Sequence, residues 1–188
     1  LLAICRHYEL RQPVFVGHSV SGVIGMLAAI EAPELFESVV MLAPSPCYIN
    51  DGDYVGGFTR TDIEDLLDLM DSNYLGWTST MANLLMLNAR NEEVERELAQ
   101  SFCRTDPDIA RHFATVTFLS DHRADLPRMK TRSLLLQTGQ DIVAPLSVAR
   151  YMHKHMPASE LRTMRAVGHC PHLSDSTETI TLIRNFID

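Results

Sequence analysis

The segment Val14-Phe15-Val16-Gly17-His18-Ser19-Val20-Ser21-Gly22 constrains this 188-residue chain more than any other, because it carries an apolar strand through a tight small-residue turn directly into a helix. A serine at such a junction is lifted above a sheet at a helix N-terminus. There a base can reach its hydroxyl, and backbone N–H groups can meet a developing oxyanion. The usual form of the turn is Gly-x-Ser-x-Gly; here Ser21 holds the last position and Gly22 follows it. Small side chains around the serine are what the turn requires. A plain Gly/Ser turn is the other reading of these residues. In the next segment Val20, Val23, Ile24, Leu27 and Ile30 form an apolar face at helical spacing. Gly22, Gly25, Ala28 and Ala29 let that helix lie close to a sheet, and Pro33 ends it.

Val39-Val40-Met41-Leu42 and Ser133-Leu134-Leu135-Leu136-Gln137 read as buried parallel strands, and residues 161–167 as a last strand. In open α/β sheets the working residues lie just past the carboxyl ends of strands. Asp141 follows one of these strands and His169 another, so Ser19, Asp141 and His169 occur in the order nucleophile, acid, base. Their expected roles are nucleophile, orienter of the imidazole, and general base then acid, with the N–H of Val20 as an oxyanion donor. Asp141 also reads as a helix cap ahead of Pro145. Asp121 and Asp125 are rival acids, although neither follows a strand-like run, and His172 rivals His169. His18 is expected to point away from the serine and pack. His153 and His155, two apart on a helix, face different sides. The cluster His169-Cys170-Pro171-His172 raises the question of a metal, but no second ligand pair at zinc-like spacing accompanies it. Neither a metal nor another cofactor is expected.

A hydrophobic content of 46% supports one domain with a real core, and a net charge of −8 without a basic patch argues against nucleic acid and anionic membrane surfaces. No apolar stretch is long enough to span a membrane. Cys5, Cys47, Cys103 and Cys170 show no pairing pattern and read as the reduced thiols of a cytoplasmic protein. The chain opens with Leu1-Leu2-Ala3-Ile4-Cys5, inside a helix-like segment, and reaches the elbow strand almost at once. A doubly wound sheet of this kind carries strands ahead of that one. The expectation is therefore an N-terminal truncation of roughly 70–80 residues, including the loop that supplies a second oxyanion N–H.

The segment between the second strand and the Asp141 strand is far longer than one crossover helix needs. Thr61-Asp62-Ile63-Glu64 reads as a capping box, followed by Leu66, Leu67 and Met70 on one face with Ile63. Trp77, Met81, Leu84 and Leu85 form a second stripe, Val94, Leu98 and Phe102 a third, and Ile109, Phe113 and Val116 a fourth behind the N-cap pair Asp106-Pro107. Four such helices over the working edge of a sheet form a lid, and an apolar lid implies an apolar pocket.

Seven segments carry a resemblance that runs almost the whole length of the chain. They are Gly17 to Gly22, Ala43-Pro44-Ser45-Pro46-Cys47-Tyr48-Ile49-Asn50-Asp51, Tyr54 to Phe58, Asn73-Tyr74-Leu75-Gly76-Trp77, Phe102 to Pro107, Ser120-Asp121-His122-Arg123, and Gly168 to Ser174. Together they resemble the RsbQ family of α/β hydrolases, bacterial proteins upstream of the sigma-B stress response, to which the plant karrikin and strigolactone receptors are similar. Ser-Pro-Cys-Tyr and His-Cys-Pro-His are closer to the bacterial members; serine at position 21 is familiar in the plant ones. The resemblance implies an α/β-hydrolase fold, with a mostly parallel sheet, helices on both faces and a four-helix lid. It divides the chain into core parts 1–56 and 119–188 and a lid at 57–118. The same triad of Ser19, Asp141 and His169 follows from it. It also implies a pocket lined by Val20, Phe58, Trp77, Phe118 and Val143, a small hydrophobic ligand or substrate, and a PAS-domain phosphatase as partner. Two classes of function follow: a serine hydrolase of an ester, lactone or enol-ether bond, or a ligand-sensing module with slow chemistry.

Overall fold

A computed structural model describes residues 1–87 and 92–188. Among them β1 (Val14–His18), β2 (Ser38–Leu42), β3 (Ser133–Thr138) and β4 (Ser159–Met164) form a sheet in that spatial order, with every pairing parallel. Gly17 lies opposite Met41, Met41 opposite Leu135, and Leu135 opposite Leu161. The carboxyl ends of the strands therefore finish along one edge, where the site forms.

The alternation of side chains along a strand divides the core in two. Val39 and Met41 face a layer with Val23, Met26, Ala29, Val148 and Met152, drawn from α2 (Val20–Glu31) and α7 (Leu146–His155). Cys5 of α1 (Leu2–His7) joins that layer, as does Leu126 of a 3-10 turn over Arg123–Arg128. Val40 and Leu42 face the other side, with Leu134, Leu136, Met164 and Phe186 of α8 (Ser176–Ile187). Helices on both faces explain why β2 and β3 are buried along their whole length, while the outer strands β1 and β4 are only partly so.

Three boundaries and faces differ from the sequence reading. β4 ends at Met164 rather than Val167, because the N–H groups of Arg165 and Ala166 donate to the Glu178 carboxylate instead of to a ladder. The packed face of α2 is Gly22, Val23, Gly25, Met26 and Ala29, and Ile24 lies exposed. A side chain at Gly22 would come within 3.2 Å of Met41, so this small-residue face is what brings α2 against the sheet. The capping box is Thr59–Asp62, two residues before the expected one. The Asp62 N–H donates to Thr59 Oγ1 at 3.1 Å, and the Asp62 carboxylate accepts from the Thr59 N–H at 2.7 Å.

Between β2 and β3 stand α3 (Arg60–Ser72), α4 (Tyr74–Met86), α5 (Glu92–Cys103) and α6 (Pro107–Leu119). Asp106 caps α6 by accepting from the N–H groups of Asp108 and Ile109, with Pro107 in the first turn. Ile63, Leu67, Met70, Trp77, Met81, Ala114 and Phe118 make the core of this insert, and Tyr48 and Val143 from the sheet-edge loops join it. On α6 the expected stripe points outward: Ile109 is 65% exposed, Phe113 55% and Val116 57%. The face turned inward is Ala110, Ala114, Thr117 and Phe118, whose small residues let α6 approach α3. No helix among the described residues is long and apolar enough to cross a membrane.

Candidate active site

Ser19 follows β1 directly and is the N-cap residue of α2, with φ 55° and ψ −126°, a positive-φ conformation that a serine adopts only under constraint. The constraint is the close passage of strand and helix. A side chain at Gly17 would come within 2.7 Å of the Gly22 nitrogen, so the turn needs its glycines at 17 and 22, while Ser21 is exposed and free to vary. The Ser19 N–H donates to the Leu42 carbonyl at 2.8 Å and fixes the elbow to β2. Val20 is the first residue of α2, so its N–H has no intrahelical partner.

The structure brings Ser19, His169 and Asp141 into one hydrogen-bonded line. Ser19 Oγ lies 2.8 Å from His169 Nε2, and His169 Nδ1 lies 2.8 Å from Asp141 Oδ2. His169 is 1% exposed. Asp141 does two jobs at once. Oδ2 faces His169 and also accepts from Gln137 Nε2 at 3.0 Å. Oδ1 accepts from the N–H groups of Val143 at 2.8 Å and Ala144 at 3.0 Å. The capping alternative thus describes one oxygen and the triad alternative the other. Burial works to raise the pKa of Asp141, but the His169 hydrogen bond and charge, with the Ala144 and Val143 N–H groups, outweigh it and hold the carboxyl below its ordinary range. The anion keeps the imidazole proton on Nδ1 and leaves Nε2 free to accept from the serine.

The rival acids are engaged elsewhere. Asp121 pairs with Arg123 at 2.6 Å, and Asp125 with Arg128 at 2.7 Å and His122 at 3.2 Å. The ring of His172 packs at a tilt against that of His18, 4.6 Å between centroids, and its buried Nδ1 has no hydrogen-bond partner among the described residues. His18 makes no hydrogen bond to Ser19 among the described residues and packs against the rings of His169 and His172, but it is more than a packing residue: its Nε2 lies 2.7 Å from the His169 carbonyl oxygen.

Two contacts escaped the sequence reading. The Tyr48 hydroxyl lies 3.2 Å from Ser19 Oγ, and burial pushes its pKa up to about 12, against the pull of that hydrogen bond. It keeps its proton and donates it to an oxygen whose own proton is turned toward His169. Tyr48 follows β2 just as Asp141 follows β3, so the strand-end rule that singled out Asp141 reaches it as well. Gln137 is a buried amide that follows the three leucines of β3, and it bridges Asp141 to the Ala144 carbonyl.

Ser19 and His169 open onto a cavity of about 460 Å³ enclosed mainly by apolar side chains, among them Val20, Trp77, Phe102, Phe113, Phe118 and Val143. Phe58 does not line it. Loop hydrogen bonds from Phe58 N–H to Tyr48 and from Asn50 N–H to Phe58 hold its backbone aside, and its ring packs edge-on against Phe118 from behind. Trp77 is 6% exposed, and among the described residues its buried Nε1–H has no acceptor.

The sequence matches the alpha/beta hydrolase family over residues 1–182. It is 36% identical over 188 residues to a probable esterase of Oryza sativa subsp. japonica, covering 100% of this chain and 69% of that protein. To a karrikin insensitive 2 receptor of Petunia hybrida it is 32% identical over 188 residues, covering 100% of this chain and 70% of the receptor. A solved hydrolase of Oleispira antarctica superposes with a TM-score of 0.95 at 39% identity, covering 98% of this chain and 68% of that one. The chain belongs to the alpha/beta hydrolase family. It is an α/β-fold serine hydrolase of the carboxylic-ester-hydrolase kind.

Proposed function

We propose that this chain cleaves an ester, lactone or enol-ether bond of a small hydrophobic compound, with Ser19 as nucleophile, His169 as base then acid, and Asp141 as the residue that orients the imidazole. The observation that carries the reading is the Ser19–His169–Asp141 line, with 2.8 Å at each link, at the floor of an apolar cavity. On an ester, Ser19 Oγ attacks the carbonyl carbon and its proton passes to His169 Nε2. The Val20 N–H meets the oxyanion, which collapses and expels the alcohol with the proton from His169. Water then repeats the sequence on the acyl-serine. Asp141 stays ionised throughout and stabilises the imidazolium. The α3–α6 insert acts as a lid, with Trp77, Phe118, Val20 and Val143 against the ligand and Phe58 as a buttress behind Phe118.

The loop resemblance supports an RsbQ-like role in stress signalling, with a PAS-domain phosphatase as partner. The free thiols Cys5, Cys47, Cys103 and Cys170 support a cytoplasmic location. A second reading has its own support in the likeness to the petunia karrikin receptor: a sensing module with little turnover. The likeness to the rice esterase favours a plain metabolic carboxylesterase instead.

Turnover of a short-chain aryl ester by the chain and by Ser19→Ala tests the proposal. A hydrolase turns over many times and loses that activity with Ser19. A sensor gives one equivalent of product and stops. Equal turnover by Ser19→Ala contradicts both. Trp77 is the single tryptophan of the chain, so its fluorescence reads ligand entry directly. An apolar analogue should perturb it, and a charged analogue that binds more tightly would contradict the apolar pocket.

A further inference from the structure

Every polar backbone atom of the two-residue segment Gly168-His169 is held. The Gly168 N–H donates to the Gln140 carbonyl at 2.9 Å, and the Gly168 carbonyl accepts from Thr138 Oγ1 at 2.8 Å. The His169 N–H donates to the Leu85 carbonyl of α4 at 2.7 Å, and the His169 carbonyl accepts from His18 Nε2 at 2.7 Å. Only Thr138 and His18 do this with a side chain. His18 alone comes from the far side of the sheet, the end of β1, while the loop bearing His169 follows β4. It is also the neighbour of Ser19. Its hydrogen bond therefore spans the distance that matters most for proton transfer, from the strand that carries the nucleophile to the main chain that carries the base.

We propose that His18 is a positioning residue: through its Nε2–H it fixes the His169 main chain against the nucleophile strand and sets the Ser19–His169 approach. The inference rests on the triad reading above. Only a protonated Nε2 can donate to a carbonyl, so Nε2 of His18 carries a proton. Neutrality matters as much as the donor. His18 sits 5.0 Å, ring to ring, from His169, which becomes cationic during the reaction, and 4.6 Å from His172. A cation at position 18 would oppose the imidazolium, whereas a neutral donor holds the loop without adding charge. Burial, reinforced by the His169 and His172 charges and resisted by the hydrogen bond to His169 and by Asp141, pushes the His18 pKa down to about 3.

The test compares His18→Gln, whose side-chain amide places an N–H near the position of Nε2, with His18→Leu, which keeps bulk and loses the donor. Two readouts are taken on the full chain. The first is the rate at which a fluorophosphonate labels Ser19. It should fall about 10²-fold in His18→Leu, the order expected for a small misplacement of a reacting group, and stay within about fivefold in His18→Gln. The second needs no turnover: the downfield NMR proton of the His169–Asp141 hydrogen bond should persist in His18→Gln and shift or broaden in His18→Leu. A folded His18→Leu that labels as fast as wild type overturns the proposal, as does a His18→Gln as slow as His18→Leu. A His18→Leu chain that loses its fold assigns His18 to stability and overturns it too. A wild-type chain that fails to label while keeping the downfield proton rejects the hydrolase reading, and this inference falls with it.

Discussion

The sheet edge and the helical insert meet across one cavity but are built on opposite terms. At the sheet edge the Asp141 carboxylate takes hydrogen bonds on both oxygens, the segment before and through His169 is held at each backbone atom, and Ser19 Oγ faces both His169 and Tyr48. The insert is held mainly by apolar packing, with the Arg111–Asp71 ion pair and the Tyr74 hydroxyl donating to the Phe102 carbonyl among its polar ties, and it turns Ile109 and Phe113 toward the cavity mouth with more than half their surface exposed. Satisfied polar networks in a low-dielectric setting hold one geometry, whereas apolar walls accept any shape that fills them. On the proposed function, the chemistry belongs to the sheet edge and the choice of ligand to the insert.

The strongest way to break this division is to remove the nucleophile. Ser19→Ala should cost about 10⁶ in rate, the scale seen when a triad serine is deleted, with little change in unfolding midpoint. Asp141→Asn should cost about 10⁴, because the imidazole then takes the wrong tautomer, while Asp121→Asn leaves the rate nearly intact. Steady-state kinetics of the two aspartate variants decides the matter: a larger loss at Asp121 would move the acid to the other loop.

Tyr48→Phe sharpens the comparison, since it removes one hydrogen bond from the nucleophile and leaves the cavity wall in place. A loss of roughly three- to tenfold in kcat with KM unchanged is expected, in keeping with the ~1 kcal/mol of a single hydrogen bond. On the insert, Phe113→Ala should behave in the reverse manner. The residue is 55% exposed, so stability should move by less than about 1 kcal/mol, while affinity for an apolar ligand falls severalfold. Calorimetry on the variant, with and without ligand, separates the two effects.

The most gradual effect is on the acid side of the stability profile. His18 has its pKa pushed down to about 3 by burial, whereas an unfolded histidine titrates near ~6.5. Between those values the unfolded chain takes up a proton that the folded chain refuses. Stability is thus complete above about pH 6.5 and falls by up to about 1.4 kcal/mol per pH unit below it. Asp141 adds to the loss lower down. Its folded pKa is depressed, so its contribution is present above ~3.9 and disappears as pH falls through the lowered value. Urea midpoints at pH 7, 6 and 5 should decline in the wild type and decline less in His18→Gln; parallel slopes would show that His18 is not the group responsible.

These contrasts also explain what the sequence could convey. Ser19, Asp141 and His169 were legible because each stands just past a strand, where the chain leaves the sheet at a place that pattern alone locates. Tyr48 was reachable by the same rule, but its hydroxyl meets Ser19 only because the loop from Pro44 to Phe58 folds back over the elbow. His18 was legible as a packed neighbour of the nucleophile, but not its bond to the His169 carbonyl, because the alternation of strand side chains says which face a residue takes and nothing of a loop arriving from beyond β4 to meet it. On α6 the periodicity was real but double. Ile109-Phe113-Val116 and Ala110-Ala114-Phe118 both repeat at helical spacing, and hydrophobicity favoured the larger set, which here faces the cavity mouth and solvent. The capping box slipped by two residues because Thr59-x-x-Asp62 and Thr61-x-x-Glu64 satisfy the same pattern.

Peptide mapping by mass spectrometry after brief incubation with a short-chain aryl ester tests the central claim most directly. The account predicts one acyl group, on Ser19, that is absent from Ser19→Ala and forms far more slowly when Asp141 is changed to Asn. An acyl group on any other residue, or an unmodified Ser19 in a chain that still releases the aryl alcohol, would contradict it.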